Sequence, residues 1–454
     1  MVLLKRFIRG TFASQGGNVI TTAKGRLGRI VPAVAIIGTG ALLLAGCASG
    51  SAASGSATGS AKFDYLGADT NTEISTVLTL MSKDQCSSEN TAQPLSVGTT
   101  PGTGVDQKLQ LLAGQNALPA ISTASGTPSL MTQFVEAKKI VNITEALGDE
   151  SSNLLPAAQS IITKLCGGSD SYVLPTEFNI EGIWYNKKIF ADNGITVPET
   201  WDALVAASQK LEAAGVQPIT ADGKDGWPIT RLIGNYIFRD QGADALQAVK
   251  DGSAKLTDAA YVKAADAVAA LGQGGAFGPS VGSIDYNGME NAFLTGGAAM
   301  MYNGSWTLAN FNDPAQNTIG LDNIAYMPFP AVTGGKGSID DTPANIGIPV
   351  MLGQSSYGTN TQAWIKCIAA NYGDLALANG GVVSGFKVTN VPTDLPALTQ
   401  VVQAKVAATT TATLWFEALF SPKQTTVSQN NAALLATGSL TGEQFMQMVQ
   451  DAGQ

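Results

Sequence analysis

"VLPTEFNIEGIWYNKKIFADNGITVPETWDAL" (173–204) joins an extended polar segment, a short apolar run and a clearly marked helix start. Glu177 and Asn179 alternate with Phe178, so on an extended chain both point to one side. "IEGIWYN" (180–186) has the β-branched and aromatic content of a strand. Farther on, Thr200 is a good N-cap, Trp201, Leu204, Val205, Ser208 and Leu211 fall on one helical face, and Gly215 closes the helix. That face needs burial, so Trp201 reads as a core anchor.

Outward from this stretch the same alternation continues. "EISTVLTLM" (73–81), "GAAMMYN" (297–303) and "NIAYMPF" (323–329) read as strands between segments of helical periodicity, which predicts an α/β class with covered sheets. "NGMENAFLTGGAAMMYNGSW" (287–306) reads as a short helix, a Gly296-Gly297 stop, a strand and a polar turn ending on Trp306. Such a turn exposes backbone N–H groups and side chains at a sheet edge. No fixed-period repeat is visible.

Across 454 residues, 26 Lys and Arg face 35 Asp and Glu, a net charge of −9, and histidine is absent. Ser-His-Asp triads, zinc–histidine sites and Cys-His pairs are thereby excluded. Residues 1–46 hold Lys5, Arg6, Arg9, Lys24, Arg26 and Arg29 and no acid, so the remainder carries 20 basic against 35 acidic residues, a net −15. A body that acidic repels nucleic acid and anionic lipid.

The basic lead runs into the uncharged "IVPAVAIIGTGALLLAG" (30–46), short for a membrane span, and then into Cys47. Residues 1–46 therefore read as an export signal. Leu44-Ala45-Gly46-Cys47 resembles the lipobox of bacterial lipoproteins, which implies a diacylglycerol on the Cys47 thiol and cleavage just before it. An uncleaved signal anchor and an ordinary secretory cleavage are the alternatives. Residues 48–60 contain only Ala, Ser, Gly and Thr, a flexible tether reaching on the order of 20 Å.

Cys47, Cys86, Cys166 and Cys367 match neither zinc nor CxxC spacing. Export permits disulfides, and a Cys86–Cys166 bridge is expected, with unbridged thiols as the alternative. Cys367 in "TQAWIKCIAANY" (361–372) shares a helical face with Trp364, Ile368 and Asn371 and reads as a small buried hydrophobe.

Four stretches in order, "DQKLQLLAGQNALPAI" (106–121), residues 173–204, "AFLTGGAAMMYNGSW" (292–306) and "ALLATGSLTGEQF" (433–445), resemble the family 1 extracellular solute-binding proteins of carbohydrate ABC importers, the maltose-binding-protein-like group. The resemblance covers about Phe63 to Ala452. It implies a two-lobed, class II periplasmic-binding-protein-like fold with a three-segment hinge, crossed near Glu177–Ile180, Met327–Pro330 and Tyr372–Leu377. The implied parts are a signal peptide at 1–46, lipidated Cys47 with its linker at 47–62, an N-terminal lobe at 63–178 and 329–375, and a C-terminal lobe at 179–328 and 376–454. One departure stands out: "SKDQCSSENTAQPLSVGTTPGTG" (82–104) is too short and too rich in turn formers for the long helix that follows the family's first strand.

A sugar offers C–H patches that pack on aromatic rings and hydroxyls that need hydrogen bonds once desolvated. Trp227 and Arg231, four apart in "GWPITRLIG" (226–234) with Pro228 at the helix start, share a face as a platform beside a five-donor fork. The family carries a stacking aromatic there; core packing of Trp227 and a surface ion pair for Arg231 are the alternative. Trp306 resembles the family's glycine–aromatic turn at the cleft. Glu177 and Asn179 suit a polyol by accepting and donating. Ser82, Asp84, Ser125 and Thr127 occupy positions where the family contacts ligand, and Trp415 in "TATLWFEALF" (411–420) either lines the cleft or packs in the core.

The resemblance thus implies a lipid-anchored, monomeric receptor on the outer face of the cytoplasmic membrane. It would capture a mono- or oligosaccharide and deliver it to the permease of an ABC transporter, without cofactor, metal or catalysis. The alternatives are a receptor of the same fold for a polyol or glycerol phosphate, and a secreted glycosidase using paired carboxylates such as Glu177 and Glu181.

Overall fold

Burial alternates along Phe63–Ala68 (β1), with Phe63 and Tyr65 inward, as expected of a strand covered on one face more than the other. The computed structural model describes residues 57–125, 128–166 and 170–454. Cys47, the signal segment, the linker up to residue 56 and Thr127 lie outside the described residues.

Leu95–Thr100 (β2) and Ile121–Thr123 (β3) run parallel to β1 on either side of it. The second sheet is built on Asn179–Asn186 (β4), with Gln217–Thr220 (β5), Ala298–Gly304 (β6), Ile324–Met327 (β7) and Thr342–Asn345 (β8). Val350–Leu352 (β9) returns to the first sheet, and Ala412–Thr413 (β10) belongs to the second. The orders are β2-β1-β3-β9 and β10-β8-β4-β6-β5, with β7 paired to β4. This is the mixed α/β architecture that the sequence predicts.

β4 serves three partners along its length: Asn179 opposes Asn345, Glu181 opposes Gly304 and Ile183 opposes Met327. Everything at its amino-terminal end therefore converges. Around the second sheet, Trp201 packs on Phe329 and Tyr236 as the anchor its helical face requires, and Thr200 caps the helix Trp201–Ala213 through Ala203 N–H. Around the first sheet, Trp364 stacks on Phe63 with centroids 4.6 Å apart.

The structure differs from the sequence reading in three places. Residues 73–81 are not a strand; they form most of the helix Glu73–Lys83. Ile74, Val77, Leu78 and Met81 recur at helical spacing and are all buried, and that stripe outweighs the β-branched content. The first strand lies upstream, so the helix that follows it in the family is present rather than missing. The second difference is the disulfide, which joins Cys86 to Cys367, not to Cys166; Cys166 is a free, exposed thiol. The helix Thr359–Gly380 packs against Glu73–Lys83 and sets Cys367 opposite Cys86, with their Cα atoms 5.9 Å apart. Cys367 is therefore a cross-link and not simply a small hydrophobe.

The third difference concerns where the chain changes sheet. The first passage lies between β3 and β4. The second lies between β8 and β9, beyond Met327–Pro330, because β8 still pairs with β4. Residues 372–377 fall inside the helix Thr359–Gly380, whose buried side there includes Tyr372, Ala376 and Leu377, so the last passage lies between that helix and β10. Among the described residues no helix is long and apolar enough to cross a membrane.

Candidate functional site

Trp227 opens the helix Trp227–Gln241, after Gly226 in the left-handed region at φ +78°. Only glycine enters that turn without strain, and a side chain there would strike the backbone of Gln429. One turn later, Arg231 sits between two indoles, its Cζ 5.6 Å from the centroid of Trp227 and 5.3 Å from that of Trp415. Cation–π attraction holds such a guanidinium across a ring face.

Two buried carboxylates hold the same guanidinium from behind. Nη1 donates to Glu417 Oε2 at 3.2 Å, and Nε lies 3.0 Å from Glu181 Oε2. The Nε–H is not aimed along that line, so the second contact is charge attraction rather than a hydrogen bond. Glu181 also accepts from Tyr302 Oη and Asn345 Nδ2, each at 3.0 Å. Glu417 accepts from the Thr230 hydroxyl and, at 3.5 Å, from Ser428 Oγ. Burial pushes the Glu417 carboxyl up, and Arg231 pulls it back. The Tyr302 phenol is pushed up by burial and by Glu181.

Trp306 completes the aromatic wall. Its ring centroid is 5.8 Å from that of Trp227, tilted by 59°, and its Nε1–H donates to Tyr286 Oη at 3.1 Å. Tyr286 in turn donates to Glu290 and lies 6.2 Å from Trp227. Gly304 is required for a different reason from Gly226: a Cβ there would run into the Trp306 ring, so only a bare backbone lets the indole fold over it. Trp227, Trp306, Trp415 and Tyr286 are all half-buried, each keeping part of its surface open.

Glu177 and Asn179 stand at the entrance of β4. Asn71 Nδ2, from the turn between β1 and its helix, donates to Glu177 Oε1 at 3.3 Å, and Ser305 Oγ donates to Asn179 Oδ1 at 3.1 Å. Burial pushes the Glu177 carboxyl up, with Asn71 opposing. A polar band thus runs from the carboxyl edge of the first sheet through Glu177 and Asn179 to the turn carrying Trp306.

Of the residues singled out in the sequence, Trp227, Arg231, Trp306, Trp415, Glu177 and Asn179 belong to this assembly. Ser125 follows β3 on the same edge of the first sheet as Asn71. Asp84 and Ser82 do not: they end the helix Glu73–Lys83, roughly 16 Å along its axis from the turn holding Asn71. Asp84 is exposed and bonded to Gln85, while Ser82 is buried against Thr79 O. Their placement followed from reading residues 73–81 as the first strand. Asn71, Tyr286, Asn345 and Glu417 escape sequence reasoning, although Glu417 leaves one trace as a lone carboxylate in the apolar run "LWFEALF". Arg231 is an ion-pair partner, but a half-buried one engaged with two acids at once.

The profile of the bacterial extracellular solute-binding proteins matches residues 87–366. A stretch of 142 residues is 29% identical to the multiple sugar-binding protein of Streptococcus mutans, covering 30% of this chain and 34% of that one. Another of 216 residues is 25% identical to the alpha-glucosides-binding periplasmic protein AglE of Rhizobium meliloti, covering 43% and 44%. The chain thus matches less than half the length of these curated relatives. Among solved structures, a chitin oligosaccharide binding protein superposes with a TM-score of 0.68 at 23% identity, covering 86% of this chain and 98% of that one. A solute-binding protein, RafE, in complex with raffinose superposes with a TM-score of 0.61 at 17% identity, covering 87% and 100%.

Proposed function

Because the chain belongs to the bacterial extracellular solute-binding proteins, we propose that it is the carbohydrate receptor of an ABC importer, with two lobes organised around its two sheets. The observation that carries this reading is one guanidinium held between two half-buried indoles, Trp227 and Trp415, with a third, Trp306, packed beside Trp227. Indole faces suit the C–H patches of a pyranose, and Arg231, Glu177 and Asn179 suit its hydroxyls. The similar multiple sugar-binding and alpha-glucosides-binding proteins, the chitin oligosaccharide binding protein and RafE in complex with raffinose support the same ligand class. The receptor acts as a monomer without catalysis, is anchored outside the cell by a lipid on Cys47 and hands its sugar to the permease subunits.

The test is calorimetry and tryptophan fluorescence of the protein against a panel of mono- and oligosaccharides. At least one sugar should bind and be recovered intact, and Trp227→Ala should weaken that sugar by roughly tenfold or more, since an aromatic stacking partner and a π-face for Arg231 are lost together. Silence across the panel, or an unchanged affinity in Trp227→Ala, would sink the reading.

A further inference from the structure

We infer that Glu417, acting through Arg231, makes the site selective for uncharged polyhydroxy ligands and repels carboxylated or phosphorylated ones. The inference rests on the carbohydrate reading and deepens it.

A lone arginine between indoles is an anion site, because a planar fork of donors matches a carboxylate or phosphate. Here the charge of the fork is already answered, although only Nη1 makes a hydrogen bond to a carboxylate. Arg231 is 14% exposed at its side chain, and the two carboxylates behind it are buried at 1% for Glu181 and 4% for Glu417. With both acids ionised, one positive and two negative groups leave this cluster at −1, and screening by water and salt is weak at such depth. A neutral hydroxyl still receives the guanidinium's remaining N–H donors. An anion meets the same donors with a surplus negative charge directly behind them.

The two acids differ in how they are built in. Glu181 is tied to β4, β6, β8 and the helix Trp227–Gln241 at once, through Tyr302, Asn345 and Arg231, so changing it disturbs the sheet. Glu417 is held by two residues of that helix, Thr230 and Arg231, and by Ser428. Glutamine has the same shape and keeps an oxygen for Thr230 or Arg231. Glu417 is therefore a positioning residue whose charge can be removed while its contacts largely remain.

The experiment compares a neutral sugar that binds the wild type with its uronic acid counterpart, by calorimetry at pH 7.5. The wild type should bind the uronate at least about tenfold more weakly, and in Glu417→Gln that ratio should fall by roughly tenfold, with the neutral sugar changing less than the uronate. A purely structural role would weaken both sugars together and leave the ratio fixed, which overturns the inference. Equal binding of both sugars by the wild type overturns it without any variant, so a Glu417→Gln chain that fails to fold does not protect it. Absence of binding to either sugar removes the carbohydrate reading and this inference together, whereas equal binding removes the inference alone.

Discussion

Asp222 lies buried five residues ahead of Trp227, with Oδ1 accepting the Asp225 N–H at 2.8 Å and Oδ2 left without a partner. Burial, and then the neighbouring Asp225 carboxylate, push its carboxyl up to about 6, against about 3.9 in an unfolded chain. Between those values the folded chain holds the extra proton. Stability therefore falls as pH rises from about 4 through about 6, and this contribution is level above that. Asp222→Asn keeps an acceptor for Asp225 and removes the ionisation. Its melting temperature should match the wild type near pH 4 and exceed it at pH 7.5; parallel melting curves across that range would contradict the assignment. At this scale the sequence is partly transparent. Trp227 and Arg231 are legible because a helix start marked by Gly and Pro fixes an i, i+4 pair on one face. Glu417 and Asn71 are not, because the partners that define them lie more than 100 residues away, Arg231 for Glu417 and Glu177 for Asn71.

The elements were readable wherever periodicity was unambiguous. β4, β6 and β7 and the helix Trp201–Ala213 stand where apolar spacing and caps put them. Residues 73–81 misled because Ile, Thr and Val favour strands while their spacing favours a helix, and in a nine-residue run both patterns fit. The pairing of Cys86 depends on which helices pack together, which no local signal encodes. Its consequence is testable: the disulfide spans 281 residues of sequence and ties the turn after the helix Glu73–Lys83 to the helix Thr359–Gly380. Closing so long a loop restricts the unfolded chain, so reduction, or Cys86→Ala with Cys367→Ala, should lower stability by about 3–5 kcal/mol. Urea unfolding with and without reductant measures it. Equal midpoints would mean that packing, including that of Trp364 on Phe63 of β1, and not the cross-link, holds the helix Thr359–Gly380 in place.

At the scale of the whole molecule, three passages between sheets leave each sheet's portion of the chain discontinuous, so motion of one against the other must be absorbed by all three segments together. Two of the positions implied by the resemblance differ from where the chain changes sheet, because β8 pairs with β4 and residues 372–377 lie inside one helix. The candidate site spans that division. Asn71 and Ser125 come from the edge of the first sheet, and Trp227, Trp306 and Trp415 from around the second. A ligand touching both groups favours whichever arrangement brings them nearest, and it shifts the population only by its difference in affinity for the open and closed forms. Small-angle scattering should therefore show a smaller radius of gyration when the best-bound sugar is saturating. Trp227→Ala at the same sugar concentration should keep the larger value, since it loses contacts that reward closure. An identical scattering curve with and without bound sugar would mean that the two sheets are fixed relative to one another and that ligand enters a preformed groove.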